Sequence, residues 1–429
     1  PSTAGVARGI SIEGGSASYN LATAGTITVN QRGDEALFIN GQPAGPINIG
    51  PLNVGSRNTG GMSVPAVLLN MGGTHGGITF NSVTIADSGD DGIRVLNSAS
   101  PVSFGDVTIN GAGLRGIDLD GNSGNVAFSR ITAVGSSVNE GIRINNNTGS
   151  VAVNTALSLQ NLSGSAIQII GSSNSYTFQN AEIIDPAGHA VNISGFTGTM
   201  DYFGSIAHNL STQSMIAIDG SSGSVGFRDV SGDSLSTSSA NGISMTNNSA
   251  GIFNFDTPVT TGTAATGIII SNDTGSAINF NALVTLGSGA NNGLELNNND
   301  STTFTRLIGG LDIDTTSGTG IFADGTGSAG MLAIIGSTTI DSTSGSLFEL
   351  RNVIVGADGI DLGDTIASTA SGLSTAFTDG LTGSGALNIS NFTSNGTTNF
   401  NDAFRITNNN VPITLNTLTI NSSSGNGLV

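Results

Sequence analysis

Short runs of alternating apolar and polar residues recur along the whole chain. The run GIRI, which begins at Gly141, places two isoleucines on one face and Arg143 on the other. A second run, VAV, begins at Val151, and a third, LSL, begins at Leu157. Strict alternation predicts half-buried strands, and no segment keeps helical spacing over three turns.

This three-strand pattern is repeated. GIDLDGNSGNVAF begins at Gly116, GISMTNNSAGIFNF at Gly242 and GIIISNDTGSAINF at Gly267. A marker residue, small at most positions, opens each repeat, and most markers are 24 to 27 residues apart. The markers are Gly9, Ala36, Ala66, Gly92, Gly116, Gly141, Ala166, Ala190, Met215, Gly242, Gly267, Gly293, Gly320, Leu347, Ala403 and Gly427. The long gap after Leu347 predicts two turns, with a degraded marker near Leu373.

A fixed period of this size is typical of stacked repeats. Three short strands per unit of about 25 residues predict a right-handed parallel β-helix with about 16 rungs, continuous over residues 1–429. Gly, Asn, Asp and Ser fill the intervals and suit the corners. Left-handed hexapeptide helices need about 18 residues per rung, and the calcium-roll repeat is absent. An array of β-sandwiches, with units of about 100 residues, is the alternative fold.

One column of aromatic residues supports the stacking. Its predicted members are Phe80, Phe104, Phe128, Phe178, Phe227, Phe255, Phe280 and Phe304, with Val153 and Tyr202 in the gaps. Rungs about 4.8 Å apart would stack these rings inside the coil. We interpret the column as core packing.

Two polar columns are also predicted. The Asn-rich corner contains Asn146, Asn147, Asn247, Asn248, Asn272, Asn298 and Asn299, whose amides are expected to hydrogen-bond from rung to rung. Arg94, Asp118 and Arg143 follow their markers by two residues in consecutive rungs. We expect them to form an outward ladder of alternating charge, worth about 0.2–1 kcal/mol per exposed pair.

Composition narrows the function classes. Only 10% of residues are charged and the net charge is −19, which argues against nucleic-acid and anionic-membrane partners. No apolar run approaches the length of a membrane-spanning helix. The 37% of hydrophobic residues are regularly spaced, which excludes disorder. The chain has no Cys and no Lys.

The termini raise a further expectation. Neither end shows a polar cap or an amphipathic helix, and the last marker lies two residues before the end. Solenoids without caps expose unpaired backbone groups. Two interpretations follow: the chain is a segment of a longer repeat protein, or identical copies stack head to tail.

Candidate chemistry is sparse. The stretch DSGDDGIR (Asp87–Arg94), with Asp118 and Asp120 one rung on, could supply the paired carboxylates of an inverting glycosidase. It resembles the Asp-Asp of the polygalacturonase family, but that family's Asn-Thr-Asp, Gly-His-Gly and Arg-Ile-Lys motifs are missing. We therefore interpret these residues as a solvated acidic turn and predict no catalytic residue.

No cofactor is predicted. The histidines His75, His189 and His208 are far apart in sequence, and we expect them in exposed turns. The one candidate for Ca²⁺ is the corner ADGIDLGD, which contains Asp358, Asp361 and Asp364. No phosphate-binding loop, dinucleotide fingerprint or nucleophile elbow is present in its required context.

The GI-x-I, Asn-rich turn and V-x-F repetitions resemble the parallel β-helix repeat family of bacterial surface proteins, which includes autotransporter-like passengers, filamentous adhesins and proteins of extracellular fibres. The resemblance implies an extracellular or cell-surface location and a structural or adhesive filament. It does not indicate a particular glycan or receptor. The alternatives are a carbohydrate-active β-helix, of the lyase, hydrolase or tailspike type, and a surface adhesin passenger.

Overall fold

The computed structural model describes residues 8–30, 33–56, 63–135, 138–238, 241–262, 266–325, 327–367, 374–395, 402–421 and 426–429. The described residues form strands and no helix, so none of them belongs to a helix able to span a bilayer. Contacts divide the chain into unit 1 (Pro1–Ile206) and unit 2 (Ala207–Val429), and each is a parallel β-solenoid. The two units contain about 15 turns, close to the predicted 16, and the fold class is confirmed.

Unit 1 contains eighteen strands. They are β1 (Ile10–Glu13), β2 (Tyr19–Leu21), β3 (Ile27–Val29), β4 (Leu37–Asn40), β5 (Ile47–Ile49), β6 (Leu52–Val54), β7 (Val67–Gly73), β8 (Ile78–Ile85), β9 (Ile93–Ser98), β10 (Val102–Ile109), β11 (Ala112–Asp120), β12 (Val126–Val134), β13 (Val138–Asn145), β14 (Val151–Gln160), β15 (Ile167–Ile170), β16 (Ser175–Ile184), β17 (Val191–Ser194) and β18 (Thr199–Ala207), the last ending at the unit boundary.

Unit 2 contains the other strands. They are β19 (Ile216–Asp219), β20 (Ser224–Arg228), β21 (Leu235–Thr237), β22 (Ile243–Thr246), β23 (Ile252–Phe255), β24 (Val259–Thr261), β25 (Ile268–Ser271), β26 (Ala277–Phe280), β27 (Val284–Gly289), β28 (Leu294–Asn297), β29 (Phe304–Leu307), β30 (Leu311–Thr315), β31 (Ile321–Asp324), β32 (Met331–Ile334), β33 (Thr338–Ser342), β34 (Phe348–Arg351), β35 (Ile354–Ala367), β36 (Ser374–Asp379), β37 (Thr382–Gly383), β38 (Leu387–Ser394), β39 (Asp402–Thr407), β40 (Ile413–Ile420) and β41 (Asn426–Leu428).

Each strand pairs in parallel with the equivalent strand one turn away. The strands that follow the markers form one face, which runs β1, β4, β7, β9, β11, β13, β15 and β17 in unit 1. The marker itself lies at a close approach between turns, because a Cβ placed on Gly116 would lie 2.7 Å from the carbonyl oxygen of Gly141. This contact explains why small residues dominate the marker positions.

The second and third strands of a turn are separate in some turns and continuous in others. β5 and β6 both pair with the single long strand β8, which bends between Phe80 and Val83. The inward-facing positions change parity at this bend, as the burial of both residues shows. In β10 the bend contains Gly105, where a Cβ would lie 1.8 Å from the Asn81 carbonyl oxygen. The prediction of three strands per rung therefore holds with a continuous bend in place of one corner in these turns.

The long gap between the markers Leu347 and Ala403 holds one additional strand on the first face. In β36, Ala376 pairs with Phe348 of β34 and with Phe404 of β39. The two predicted turns are therefore present. Leu373, the predicted degraded marker, lies outside the described residues.

The aromatic column of unit 1 lies in the core. The Phe104 ring stacks on Phe80 with centroids 4.6 Å apart and on Phe128 with centroids 4.9 Å apart. The column continues through Val153, which pairs with Phe128 and with Phe178. Phe178 and Tyr202 are completely buried. Each stacked pair adds about 0.5–1.5 kcal/mol beyond the burial of its area.

Unit 2 contains a second stretch of stacked rings. Phe255 stacks on Phe227 with centroids 5.2 Å apart and on Phe280 with centroids 4.7 Å apart. All three rings are buried, and their strands keep the same register from turn to turn. These rings therefore have the internal position that the sequence predicts.

Phe304 does not belong to this column, and its prediction is wrong. Leu307 pairs with Phe280 and occupies the inward position, whereas Phe304 pairs with the half-buried Ala277. The Phe304 ring is half-buried and lies 5.3 Å from the guanidinium carbon of Arg306. The turn at 298–303 has one residue more than the equivalent turn at 272–276, so equal spacing of phenylalanines does not give equal position.

Candidate functional site

The densest cluster of charged side chains lies on β9, β11 and β13 of unit 1, including the turn before β9. We call it the charge lattice, and its members are Asp91, Arg94, Arg115, Asp118, Glu140 and Arg143. They form two adjacent columns of three residues, and the charge alternates from rung to rung in both. The first column, through Asp118, is the predicted charge ladder.

Asp118 links the first column to both neighbouring rungs. Its Oδ2 lies 3.1 Å from Arg94 Nε, and its Oδ1 accepts a hydrogen bond of 2.8 Å from Arg143 Nε. Arg143 Nη2 donates a second bond of 3.1 Å to Oδ2. Burial alone would lower the pKa of Arg143, but its bonds to Asp118 raise it.

The ladder is not made of exposed pairs, which corrects the expectation from the sequence. Asp118 is completely buried, although Arg94 and Arg143 keep part of their side chains in water. The carboxylate loses its hydration shell and depends on the two guanidinium groups for compensation. Its removal should therefore cost more than the breaking of a surface pair.

The second column was not recognised in the sequence. Arg115 Nε donates a hydrogen bond of 2.9 Å to Glu140 Oε2, and Arg115 Nη1 lies 3.3 Å from Asp91 Oδ1. The same Nη1 lies 3.6 Å from Asp118 Oδ2, which joins the two columns. The available signal was the alternating charge of the residues immediately before the markers Gly92, Gly116 and Gly141.

Asp91 has the most perturbed environment of the lattice. It is completely buried, and among the described residues no group donates a hydrogen bond to its Oδ2. Burial and the neighbouring carboxylates of Asp118 and Asp90 raise the pKa of Asp91 to about 7, against the opposing effect of Arg115 and Arg94. A carboxyl group of this kind exchanges its proton near neutral pH, which is a property of general acids as well as of buried structural acids.

A second polar arrangement runs inside the Asn-rich corner, and we call it the polar ladder. In unit 1 the Ser98 N–H donates to Asn122 Oδ1 at 2.8 Å, and the Asn122 N–H donates to Asn147 Oδ1 at 2.8 Å. The Asn147 N–H then donates to Ser172 Oγ at 3.1 Å. Each inward side chain satisfies a backbone group of the neighbouring rung, as buried polar groups require.

The predicted asparagines divide between this ladder and the corner beside it. Asn147, Asn248 and Asn299 are buried members of the polar ladder. The other four are Asn146, Asn247, Asn272 and Asn298, and each precedes an inward residue with φ between 50° and 57°. Asn tolerates this left-handed conformation better than other residues that carry a side chain, which explains the repeated Asn at the corner.

The histidines do not form a site, and two of them are not exposed as the sequence analysis expected. His75 and His208 are buried, and His189 is half-buried. His75 Nδ1 accepts a hydrogen bond from the Gly77 N–H, and His75 Nε2 lies 2.7 Å from Ser98 Oγ. Burial lowers the pKa of His75, so the neutral ring is favoured.

The acidic corner proposed for Ca²⁺ is divided among separate partners. Asp358 forms an ion pair of 2.7 Å with Arg306. Asp361 accepts a hydrogen bond from Asn388 and Asp364 accepts one from Asn391. Among the described residues, no group of three His, Cys, Asp or Glu side chains has the arrangement of a metal site.

The fold and the clusters together define a parallel β-solenoid whose polar groups bind mainly to one another. No protein-family model, curated protein or solved structure matches the chain. What the chain does is therefore argued from its own geometry.

Proposed function

We propose that the chain is a structural segment of a stiff extracellular filament or surface stalk. The observation that carries this proposal is the charge lattice, in which the most chemically reactive carboxylates are consumed by contacts between rungs. Asp118 joins three successive rungs through Arg94 and Arg143. Such bonds resist sliding or separation of turns, which is the mechanical requirement of a fibre.

The core supports the same conclusion. In each unit the stacked phenylalanines and the polar ladder repeat the same contact from turn to turn. Stability in such a solenoid is the sum of repeated nearest-neighbour contacts, so length can increase without a larger core. Long, regular objects of this kind serve as spacers or stalks, and the net charge of −19 would keep neighbouring copies apart.

The geometry favours this structural role over polysaccharide cleavage. Inverting hydrolysis requires an acid and a base with room for a sugar and a water between them. Asp91 and Asp118 are completely buried, and Arg94 and Arg115 lie within ion-pair distance of both. A glycosidic oxygen cannot reach carboxylates enclosed in this way without displacing the guanidinium groups.

Immunogold electron microscopy of the producing cells tests the proposal. Antibodies against the purified chain are expected to label filaments or stalks outside the cell, and cells lacking the gene should show neither label nor filaments. Label confined to the cell interior would overturn the proposal. Turnover of pectins or other polyanionic glycans by the purified chain, lost in Asp91→Asn, would also overturn it in favour of an enzyme.

A further inference from the structure

The polar ladder of unit 2 passes through an aspartate where asparagine would be expected. The Ser221 N–H donates to Asn248 Oδ1 at 2.9 Å, and the Asn248 N–H donates to Asp273 Oδ1 at 2.8 Å. The Asp273 N–H donates to Asn299 Oδ1 at 3.0 Å. One side-chain oxygen of Asp273 therefore performs the function of an asparagine oxygen.

The asparagines of this ladder also use their amide nitrogen. Asn248 Nδ2 donates to the Ile218 carbonyl at 3.2 Å, and Asn299 Nδ2 donates to the Ile270 carbonyl at 3.0 Å. Both acceptors are the third residue of a first-face strand, in β19 and in β25. An ionised carboxylate has no donor for this position, whereas a neutral carboxylic acid has one.

Asp273 is enclosed without a compensating cation. It is completely buried, and among the described residues no Arg or His forms an ion pair with it. The charged groups that face it are acidic: Asp219 at the end of β19, and Asp300, whose N–H donates to the Asp273 carbonyl at 3.0 Å. The adjacent strands β22 and β25 carry no charged residue.

We propose that Asp273 is held in the folded chain as the neutral carboxylic acid, and that its ionisation makes the polar ladder of unit 2 respond to pH. By the position of its neighbours, the Oδ2–H would donate to the carbonyl of Met245, the third residue of β22. On ionisation the proton passes to solvent, and Oδ2 is left facing a carbonyl oxygen. Contacts among β22, β25 and β28 then weaken.

The direction of the pH effect follows from burial. Desolvation, together with the charge of Asp219, raises the pKa of Asp273 to about 6, from 3.8 in an exposed aspartate, against the opposing bonds from Asn248. Between these values the folded chain keeps a proton that the unfolded chain has released, so stability falls as pH rises from about 4 to 6. The contribution is fully present below pH 3.8 and absent above about 6.

Asp273→Asn tests this directly, because asparagine supplies the donor at every pH. Urea unfolding of the whole chain should give an unfolding constant about 100-fold smaller for the variant than for the parent at pH 8, with little difference at pH 4. Hydrogen exchange at the Asn248 amide, whose acceptor is Asp273 Oδ1, should show the same pattern locally.

The converse variant is Asn147→Asp, at a buried ladder position of unit 1. It should introduce a loss of stability between pH 4 and 8 that the parent lacks in unit 1. Asp106→Asn, at an exposed carboxylate, should leave the pH profile unchanged. The proposal fails if Asp273→Asn stabilises the chain equally at pH 4 and pH 8, or does not stabilise it at pH 8. If Asn147→Asp does not fold, the profile of Asp273→Asn decides alone.

Discussion

Replacement of Phe104 by alanine is expected to lower the free energy of unfolding by about 3–5 kcal/mol. The Phe104 ring is buried between Phe80 and Phe128, with centroids 4.6 Å and 4.9 Å away. Its strand is bonded in register on both sides, by β8 and β12, so the turns cannot collapse into the cavity. Urea unfolding followed by far-UV circular dichroism measures the change.

Phe304→Ala is the matched control for this prediction. The sequence assigns both phenylalanines to one column, but the Phe304 ring is half-buried on the outer surface beside Arg306. Its removal should cost about 1 kcal/mol, because less area is buried and no closed cavity forms. Equal costs for the two substitutions would contradict the positions described for these rings.

Asp118→Asn is expected to lower the free energy of unfolding by about 3–5 kcal/mol at neutral pH. The substitution preserves the size of the side chain but leaves Arg94 and Arg143 without the buried anion that compensates them. Because Asp118 is completely buried, high salt should change this cost little. Urea unfolding at low and at high salt provides the measurement.

The control is Asp106→Asn, which removes an exposed partner of Arg130 at 3.5 Å. Both of these side chains are about half exposed, so the cost should be at most about 1 kcal/mol and should disappear in high salt. A cost for Asp118→Asn as small as that for Asp106→Asn would show that the charge lattice does not hold the turns together.

The repeated alternation was sufficient to predict the fold, because each turn writes the same inward positions. Register was less accessible: Phe304 and Leu307 both follow Phe280 by about one turn, and only the length of the turn at 298–303 decides between them. A single additional residue in a corner moves a side chain from the inner to the outer face.

The charge ladder was predicted in register but not in burial. Asp118 is enclosed because Arg115, from the second column, lies over it as well. Which columns are adjacent across a corner is a property of the coil and not of the local pattern. The polar ladder was missed at Ser98, Ser172 and Asp273 because small polar residues also fill the exposed turns, so composition alone does not distinguish the two positions.

The central claim is that consecutive turns lie directly on one another in a fixed register, and a pair of introduced cysteines measures this most directly. The chain contains no Cys, so Ser103→Cys with Ala127→Cys creates a single pair at opposed positions of β10 and β12. Adjacent strands are about 4.8 Å apart, within the range that a disulfide bridges.

The account predicts rapid oxidation of this pair to an intramolecular disulfide in the folded chain. The out-of-register pair Ser103→Cys with Thr132→Cys should stay reduced, because Thr132 lies opposite Thr108. Failure of the first pair to form a disulfide, or equal oxidation of both pairs, would contradict the stacked register on which the fold, the charge lattice and the polar ladder all depend.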